Sequence, residues 1–310
     1  MHSAECVPCH GPGVSAFRAV HGIPGLTGYL AAVRLGLPGG RIRALLLGRP
    51  FISLEGMITL LIATRNAHKV GEIRAILGEG FHYLTLNDVP NAPEVIEDAG
   101  TFAGNATKKA VALAKWLGET QGLRSNVTGM GPGAQADRLY VLADDSGLEV
   151  DALKGAPGVH SARFAALDTG APGNSPTADN NAKLLRLLGA VAFGKRTARF
   201  CCVVALTPVP RSEAQPASPV CYADEVDLQT ELFEGTCEGR IGLAPHGQGG
   251  FGYDPLFVPE GHEATFAELG EEVKNQMSHR ARALAKLKLC LQVSRAVEHG
   301  RAAAADGLDV

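Results

Sequence analysis

The stretch ITLLIATRNAHKVGEIRAILG, residues 58–78, runs from a strand into a helix and decides the fold class. Its first half is an unbroken apolar run, which is typical of a strand buried on both faces of a sheet. Its second half repeats apolar residues at helical spacing, namely Val70, Ile73, Ile76 and Leu77. Gly78 then supplies a stop signal for the helix. A buried strand followed directly by an amphipathic helix predicts an α/β fold.

The same alternation of strands and helices continues towards the C-terminus. Apolar patterns predict strands at 81–86, 139–143, 197–208, 221–229 and 231–241, and helices at 101–117, at 179–188 and from Ser278 onward. The last two strands are expected to be antiparallel. Because helices interleave with strands in the first half and strands dominate the second, we predict a central mixed sheet flanked by helices.

The composition limits the classes of protein that fit. The 310 residues are 45% hydrophobic and carry a formal net charge of −3, with a pI near 6.4. This charge provides no overall basic field for nucleic acid. No apolar run reaches the length of about 18 residues that a membrane helix needs. The seven cysteines have no framework spacing, and we interpret them as reduced thiols of a cytoplasmic protein.

Residues 1–56 differ from the rest of the chain. They contain five Arg, no Lys and two acidic residues, with many Gly and Pro and no sustained periodicity. We interpret them as an extension outside the fold, and we predict a folded domain at 57–298 and a tail at 299–310. An Arg-rich leader also fits a targeting peptide. The motif CVPCH, residues 6–10, formally matches a c-type haem attachment site, but no signal peptide precedes it.

The segment TRNAHK, residues 64–69, lies at the junction of the first strand and the first helix. Backbone N–H groups at a helix N-terminus favour a bound anion. Thr64 and Asn66 add polar side chains, and Lys69 adds a full positive charge. A phosphate site is one interpretation of this segment, and an ordinary helix cap with a solvated lysine is the other.

The segment LADDSG, residues 142–147, carries two adjacent carboxylates, Asp144 and Asp145, after an apolar run. We expect the strand to finish before them, since Asp145-Ser146-Gly147 is good turn chemistry. Adjacent carboxylates repel each other unless a cation or a shared proton compensates. A Mg²⁺ ion, which binds one or two carboxylates together with phosphate oxygens, would supply that charge. The alternative is a capping turn without chemistry.

The glycine-rich segment GQGGFGYDP, residues 247–255, formally contains the pattern G-x-G-x-x-G. A dinucleotide-binding loop requires a helix directly after the glycines, and Pro255 disfavours one. The remaining interpretation is a flexible backbone that approaches a ligand closely. Phe251 would then offer a ring on which a flat base could stack.

Four segments in order resemble the inosine triphosphate pyrophosphatase family, namely TRNAHK (64–69), ADDSGLEVDALKGAPGVHSARF (143–164), GGFGYDPLF (249–257) and SHRARAL (278–284). The resemblance extends from about residue 57 to residue 293. The family hydrolyses ITP, dITP and XTP to the monophosphate and pyrophosphate with Mg²⁺ and so cleanses the nucleotide pool. The resemblance also implies an elongated two-lobed fold with the active site in the cleft between the lobes, and a homodimer.

The resemblance implies roles for individual residues. Asp145 would be the catalytic carboxylate that activates water, and Glu97 together with Asp145 would hold Mg²⁺. The substrate would contact Thr64, Arg65, Asn66, Ala67, His68, Lys69, Ser146, Phe251, Gly252, Tyr253, Asp254, Lys274, His279 and Arg280. Donors from the last three would pair with the 6-carbonyl of inosine or xanthosine and would face the amino donor of adenine. A buried mismatch of that kind costs roughly 1 to 3 kcal/mol.

Two alternatives stay open on the sequence. A Maf-like pyrophosphatase of pyrimidine or modified nucleotides would use similar chemistry, and an inactive nucleotide-binding module would not need Glu97, Asp144 and Asp145. The chain also departs from the family at Gly104, which precedes Asn105 where many relatives carry Glu. We expect a weaker or differently ordered edge of the cleft there, with the core chemistry unchanged.

Overall fold

The computed structural model describes residues 58–120, 139–210 and 229–305, with side chains as far as residue 292. Predictions for residues 1–56, for the CVPCH motif and for a strand starting at residue 221 lie outside these residues. No helix within the described ranges is long and apolar enough to cross a membrane. The cysteines in those ranges are free thiols, as the sequence predicts: Cys201, Cys202, Cys237 and Cys290.

The described part of the chain forms one six-stranded sheet with the order β2-β1-β3-β4-β5-β6. The strands are β1 (Thr59–Ile62), β2 (His82–Thr85), β3 (Leu139–Val150), β4 (Thr197–Pro208), β5 (Glu231–Ile241) and β6 (Phe257–Pro259). Strand β1 pairs in parallel with both β2 and β3, and the remaining pairs are antiparallel. The predicted mixed sheet is therefore confirmed, whereas the division into two lobes stays a prediction.

Helices flank the sheet, namely α1 (Ala67–Leu77), α2 (Phe102–Glu119), α3 (Thr177–Leu187), α4 (Phe266–Met277) and α5 (His279–Ala305). Helix α4 is interrupted at Gly270, whose φ is 81°. Helix α5 begins as predicted, because the Ser278 hydroxyl accepts a hydrogen bond from the Ala281 N–H. Its backbone continues to Ala305, into the range 299–310 that the sequence predicts to be a tail.

The core lies on both faces of the sheet. On one face the predicted stripe of α2, including Ala106, Ala110 and Leu113, packs against Val141 and Ala143 of β3. On the other face, residues of α1 and α5 pack against the alternate positions of the same strand. Those buried residues include Ile73, Leu77, Leu284, Leu287, Leu291, Tyr140 and Leu142. In the first half of β3, every second residue therefore faces α2, and the residues between them face α1 and α5.

The prediction that the third strand ends before the acidic pair is wrong. Strand β3 continues through Asp144 and Asp145 to Val150, paired with β4 along its length. Its other neighbour is shorter, because the pairing with β1 reaches only Leu142. Beyond that point, β1 no longer covers the edge of β3, and the acidic pair lies on this open edge. The turn expected at Asp145-Ser146-Gly147 is extended strand instead.

Candidate active site

Asp144 and Asp145 point to opposite faces of the sheet, because side chains alternate along a strand. Asp144 faces α1 and α5, where it contacts Lys69 and Arg280. Asp145 faces α2, where its Oδ2 accepts a 2.9 Å hydrogen bond from the amide of Asn105. Both carboxylates are almost fully buried. The alternation keeps them apart, so the two do not form a pair around one cation.

Asp144 is held by cations from two helices. Its Oδ1 lies 3.0 Å from the ammonium of Lys69 on α1. Its Oδ2 accepts hydrogen bonds from Nε and Nη2 of Arg280 on α5, at 3.3 and 2.9 Å. Burial alone would raise the pKa of Asp144, but Lys69 and Arg280 hold it far below its ordinary value. Asp144 is thus a permanent anion that joins α1, β3 and α5.

Arg280 belongs to a larger buried group of charges. Its Nη1 donates to Glu72 of α1, and its Nη2 donates to the Ser146 hydroxyl at 2.9 Å. Lys274 lies 2.8 Å from Glu72 Oε1 and 2.6 Å from Asp254 Oδ2. We call this group the Arg280 cluster, and it contains Lys69, Glu72, Asp144, Asp254, Lys274 and Arg280. Its three formal positive charges balance its three formal negative charges, which offsets the cost of removing these groups from water.

Asp145 has a different environment, which we call the Asp145 cluster and which contains Glu97, Asn105, Lys109 and Asp145. Besides Asn105, the Ser146 N–H donates to Asp145 Oδ1 at 3.0 Å. Burial raises the pKa of Asp145 above its ordinary value, and Lys109 and Asn105 offset part of that rise. A carboxylate with a raised pKa and an orienting amide is suited to accept a proton from water.

Lys109 of α2 connects the members of the Asp145 cluster. Its ammonium donates to the backbone carbonyl of Asp144 at 2.7 Å, which satisfies an acceptor on the open edge of β3. The same ammonium lies 3.1 Å from Glu97 Oε2. The Nη2 of Arg163 donates to the backbone carbonyl of Glu97 at 3.2 Å and steadies the segment that carries this acid. Glu97 remains partly exposed, so its oxygens are accessible to a ligand.

The donor set of the Asp145 cluster fits the predicted Mg²⁺. Glu97 and Asp145 contribute carboxylate oxygens to a common cavity, and their proximity is evident because Glu97 raises the pKa of Asp145. Hard oxygen ligands of this kind suit Mg²⁺, which needs only one or two carboxylates. In the described ranges, no group of three or more His, Cys, Asp or Glu side chains could hold a metal. The site therefore fits an ion that completes its shell with water and phosphate oxygens.

The helix cap predicted for TRNAHK is confirmed, but its lysine is not solvated, because Lys69 is ion-paired with Asp144. Asn66 Oδ1 accepts hydrogen bonds from the N–H groups of His68 and Lys69 at 3.0 and 3.4 Å. Thr64 Oγ1 accepts another from the Asn66 N–H at 3.1 Å. These side-chain oxygens occupy several of the backbone N–H groups that an anion would otherwise bind. The positive charges that face the cavity from this turn are therefore those of the Arg65 and Lys69 side chains.

The glycine-rich loop presents Phe251 to the cavity. Asp254 Oδ2 accepts a 2.8 Å hydrogen bond from the Phe251 N–H, and it also binds Lys274. A Cβ at Gly250, whose φ is 72°, would lie 2.1 Å from that oxygen, so this position requires glycine. The ammonium of Lys274 lies 4.4 Å from the centre of the Phe251 ring. The imidazole of His68 stacks on the same ring, with centroids 5.3 Å apart and planes 19° apart.

His279 is buried next to these cations. Its ring stacks on Phe200, with centroids 4.7 Å apart, and within the described chain its Nδ1 has no hydrogen-bond partner. Burial, followed by the charges of Arg280 and Lys274, holds the pKa of His279 well below its ordinary value. The imidazole is therefore neutral at neutral pH, with a ring nitrogen available as a donor or an acceptor.

One cavity of about 950 Å³ borders both clusters. It lies where β1 ends, so residues from both faces of β3 reach it. Lys69 and Asp145 both line it, and so do all other predicted site residues except Ala67 and His68. These residues are Thr64, Arg65, Asn66, Glu97, Ser146, Phe251, Gly252, Tyr253, Asp254, Lys274, His279 and Arg280. Their individual roles stay predictions.

Sequence reasoning missed several polar residues of the two clusters. Glu72 lies three residues after Lys69 in α1, and Lys109 lies four residues after Asn105 in α2. Residues at these spacings share a helix face. A polar pair on the buried face of a helix was the signal that could have identified them. Tyr253 was predicted as a substrate contact, and its hydroxyl donates to the backbone carbonyl of Ser161 at 2.9 Å.

The departure at Gly104 has a local steric explanation. A Cβ at this position would lie 2.8 Å from the Cβ of Ala99 and 3.1 Å from the Thr101 hydroxyl. The start of α2 is nevertheless tied down, because Gly104 N–H donates to Thr101 Oγ1 and Ala99 N–H donates to Asn105 Oδ1. The same Asn105 orients Asp145, so the edge of the cavity is anchored to this carboxylate.

Known proteins match most of the chain. The family model described as the Ham1 family matches residues 60–290. A dITP/XTP pyrophosphatase of Desulforamulus reducens is 44% identical over 228 residues, covering 73% of this chain and 92% of the relative. A dITP/XTP pyrophosphatase of Geobacter sulfurreducens is 44% identical over 233 residues, covering 75% of this chain and 96% of the relative.

A solved structure has the same fold. The chain matches the structure of a HAM1 protein from Coxiella burnetii with a TM-score of 0.56 and 32% sequence identity. The match covers 76% of this chain and 99% of that protein. The mixed sheet and the helices that flank it are therefore shared with a solved relative.

Proposed function

The chain belongs to the Ham1 family and is a nucleoside triphosphate pyrophosphatase, and we propose that it hydrolyses ITP, dITP and XTP to the monophosphate and pyrophosphate with Mg²⁺. The relatives named dITP/XTP pyrophosphatases support this choice of bases. One observation carries the proposal. A buried carboxylate with a raised pKa, Asp145, shares a cavity with the cation of Lys69 and the aromatic ring of Phe251.

Asp145 is the general base of the proposed reaction. Ionised Asp145 takes a proton from a water molecule, whose oxygen forms a new bond to the α-phosphorus. The bond from the α-phosphorus to the oxygen that bridges the α- and β-phosphates breaks, and pyrophosphate leaves with that oxygen and the electron pair of the broken bond. Asn105 donates to Asp145 Oδ2, and the Ser146 N–H donates to Oδ1, so both contacts fix the direction of the carboxylate.

The charge on the triphosphate is balanced by cations on both sides of the open edge of β3. Lys69 and Lys109 carry the protein's contribution, and both ammonium groups lie close to β3. Glu97 and Asp145 would hold Mg²⁺, which when bound neutralises phosphate charge. Because Lys109 also binds Glu97, it orients this carboxylate towards the site.

Base selection follows from the donors around Phe251. Arg280 makes three hydrogen bonds within its cluster and a fourth to Ser146, which leaves little of its donor capacity for a base. Neutral His279 has a ring nitrogen without a protein partner in the described chain. A donor there pairs with the 6-carbonyl of inosine or xanthosine and opposes the 6-amino group of adenine, a difference of roughly 1 to 3 kcal/mol.

The decisive experiment incubates the purified protein with dITP, XTP, dGTP and dATP and separates the products by ion-exchange chromatography. We expect dIMP and pyrophosphate from dITP, no release of orthophosphate, and loss of activity in EDTA that Mg²⁺ restores. Turnover of dATP at the rate of dITP, or dIDP as the product, would disprove the proposal. A preference for pyrimidine nucleotides would favour the Maf-like alternative, and tight binding of dITP without turnover would favour an inactive binding module.

We also propose a homodimer that acts in the cytoplasm on the nucleotide pool, with its catalytic domain at 57–298. The family match at 60–290 supports these limits. Light scattering during size-exclusion chromatography is expected to give twice the chain mass of 32.3 kDa. A mass equal to one chain at micromolar concentration would contradict the proposed dimer but would not bear on the proposed activity.

A further inference from the structure

We propose that His68 is a positioning residue that supports Phe251 as the wall for the base, and that it acts through that ring without touching the nucleotide. The proposal rests on the proposed function, because it assigns the base to Phe251. It also revises the sequence expectation that His68 contacts substrate directly. Phe251 lines the cavity. His68 is not one of the described residues that line it.

Phe251 needs support because its backbone is intrinsically permissive. Gly250 and Gly252 flank it, and both have positive φ, at 72° and 62°. Glycine loses more conformational freedom on ordering than any other residue, so a ring between two glycines is poorly fixed by its own chain. The Phe251 N–H is bound by Asp254 Oδ2, but this contact restrains the backbone and not the ring.

Three contacts restrain the ring itself. The guanidinium of Arg280 lies 5.9 Å from its centre. The ammonium of Lys274 lies 4.4 Å from its centre, and the imidazole of His68 stacks on it at 5.3 Å. Lys274 lies on the cavity and is held by Glu72 and Asp254. His68 provides the support from outside the cavity lining.

His68 is well placed for this task because it sits on rigid backbone. Its N–H is bound by the Asn66 cap at 3.0 Å, in the first turn of α1. Ile73 and Leu77 of that helix are buried in the core. The next residue, Lys69, is ion-paired with Asp144. The stack therefore links the turn that carries Lys69 to the loop that carries the base wall.

The proposal predicts a specific kinetic pattern with dITP. Aromatic pairs contribute enough to change an equilibrium about two- to tenfold, so His68→Ala should raise KM by about that factor and leave kcat unchanged. His68→Phe should restore KM because it restores the stack. His262→Ala, a histidine away from both clusters, serves as the matched control.

A double-mutant cycle tests whether His68 acts through Phe251. In the Phe251→Ala background, His68→Ala should have no further effect on kcat/KM. An undiminished effect in that background would overturn the proposal, because His68 would then contact the nucleotide itself. An unchanged KM in the single variant would also overturn it.

A second measurement does not depend on activity. Phe251→Trp in a Trp116→Phe background introduces one indole, and its time-resolved fluorescence anisotropy reports how firmly the ring is held. Adding His68→Ala should increase the fast, local component of the anisotropy decay, and adding His262→Ala should not. If the wild-type protein fails to hydrolyse dITP, the proposed function falls, and this anisotropy still decides whether His68 holds the ring.

Discussion

Asp144 and Asp145 are neighbours of the same residue type, yet they lie on opposite faces of strand β3 and their pKa values shift in opposite directions. Asp144 faces α1 and α5, where Lys69 and Arg280 depress its pKa. Asp145 faces α2, where burial raises its pKa. The first carboxylate completes a balanced set of charges and stabilises the junction of three elements. The second is incompletely compensated, which is the reason that we propose it as the general base.

This contrast teaches that burial alone does not determine what a carboxylate does. Both side chains are almost fully buried, and the difference lies in their partners. Asp144 receives two cations directly, whereas Asp145 receives an amide, a backbone N–H and the more indirect charge of Lys109. Variants that exchange or remove these partners test whether the partners cause the difference between the two carboxylates.

The largest expected effect is on catalysis, in Asp145→Asn. Removal of a general base lowers kcat by about 10² to 10⁴-fold, while KM for dITP should change little. Because the native pKa of Asp145 is raised, its ionisation opposes folding, and the penalty appears as pH rises above the ordinary carboxyl pKa. The variant should therefore be as stable as the wild type or more stable at neutral pH. Loss of both activity and stability would contradict the assignment.

Asp144→Asn should have the largest effect on stability. It leaves the buried cations Lys69 and Arg280 undercompensated, which typically costs about 3 to 5 kcal/mol of unfolding free energy. Urea denaturation at neutral pH measures this loss. The stabilising contribution of Asp144 is present above the ordinary carboxyl pKa and is lost as pH falls towards its depressed native pKa. The stability gap between wild type and variant should therefore narrow in acid, and a constant gap would refute the ion-pair explanation.

Lys109→Met should change the pH dependence of catalysis. In the wild type, kcat should fall as pH drops through the pKa of Asp145, because the protonated form cannot accept a proton. The Lys109 charge lowers that pKa, so its removal should move the acidic limb of the kcat profile to higher pH. Lys109→Arg should keep the limb near its wild-type position. If the acidic limb does not move in the Met variant, the charge of Lys109 does not influence the pKa of Asp145.

The smallest effect is expected in Lys108→Ala, which is a control for its neighbour. Lys108 pairs with Asp98, and both side chains are well exposed. Exposed ion pairs contribute little to stability because water and salt screen them. The kcat value and the unfolding midpoint should both remain at the wild-type level. A clear loss of activity would mean that catalysis depends on the general positive charge of this part of α2, and not on the specific contacts of Lys109 with Glu97 and Asp144.

Much of the fold was predictable from sequence because apolar periodicity reports which face of an element is buried. The stripe of α2 and the inward leucines of α5 illustrate this. The length of β3 was not predictable, because Asp144, Asp145, Ser146 and Gly147 resemble a turn when read alone. Only the long-range pairing with β4, and the ion pairs that satisfy Asp144, make an extended strand favourable there.

The candidate site was predictable as a set of residues but not as an arrangement. The family motifs name Asp145, Lys69 and Arg280, yet no motif states that Lys69 pairs with Asp144 or that Glu72 joins Arg280 to Lys274. These contacts join residues of α1, β3, α4 and α5, which are far apart in sequence. Pattern reasoning detects neighbours within one element, so contacts between elements require the folded chain.

The most direct test of the contrast is a ¹³C NMR titration of the aspartate side-chain carboxyl carbons, with Asp144→Asn and Asp145→Asn used to assign the two signals. We predict that Asp145 titrates above the pH of an ordinary aspartate, while Asp144 stays ionised until the protein unfolds in acid. Two carboxyls that titrate together, or an Asp144 signal that titrates above that of Asp145, would contradict the account.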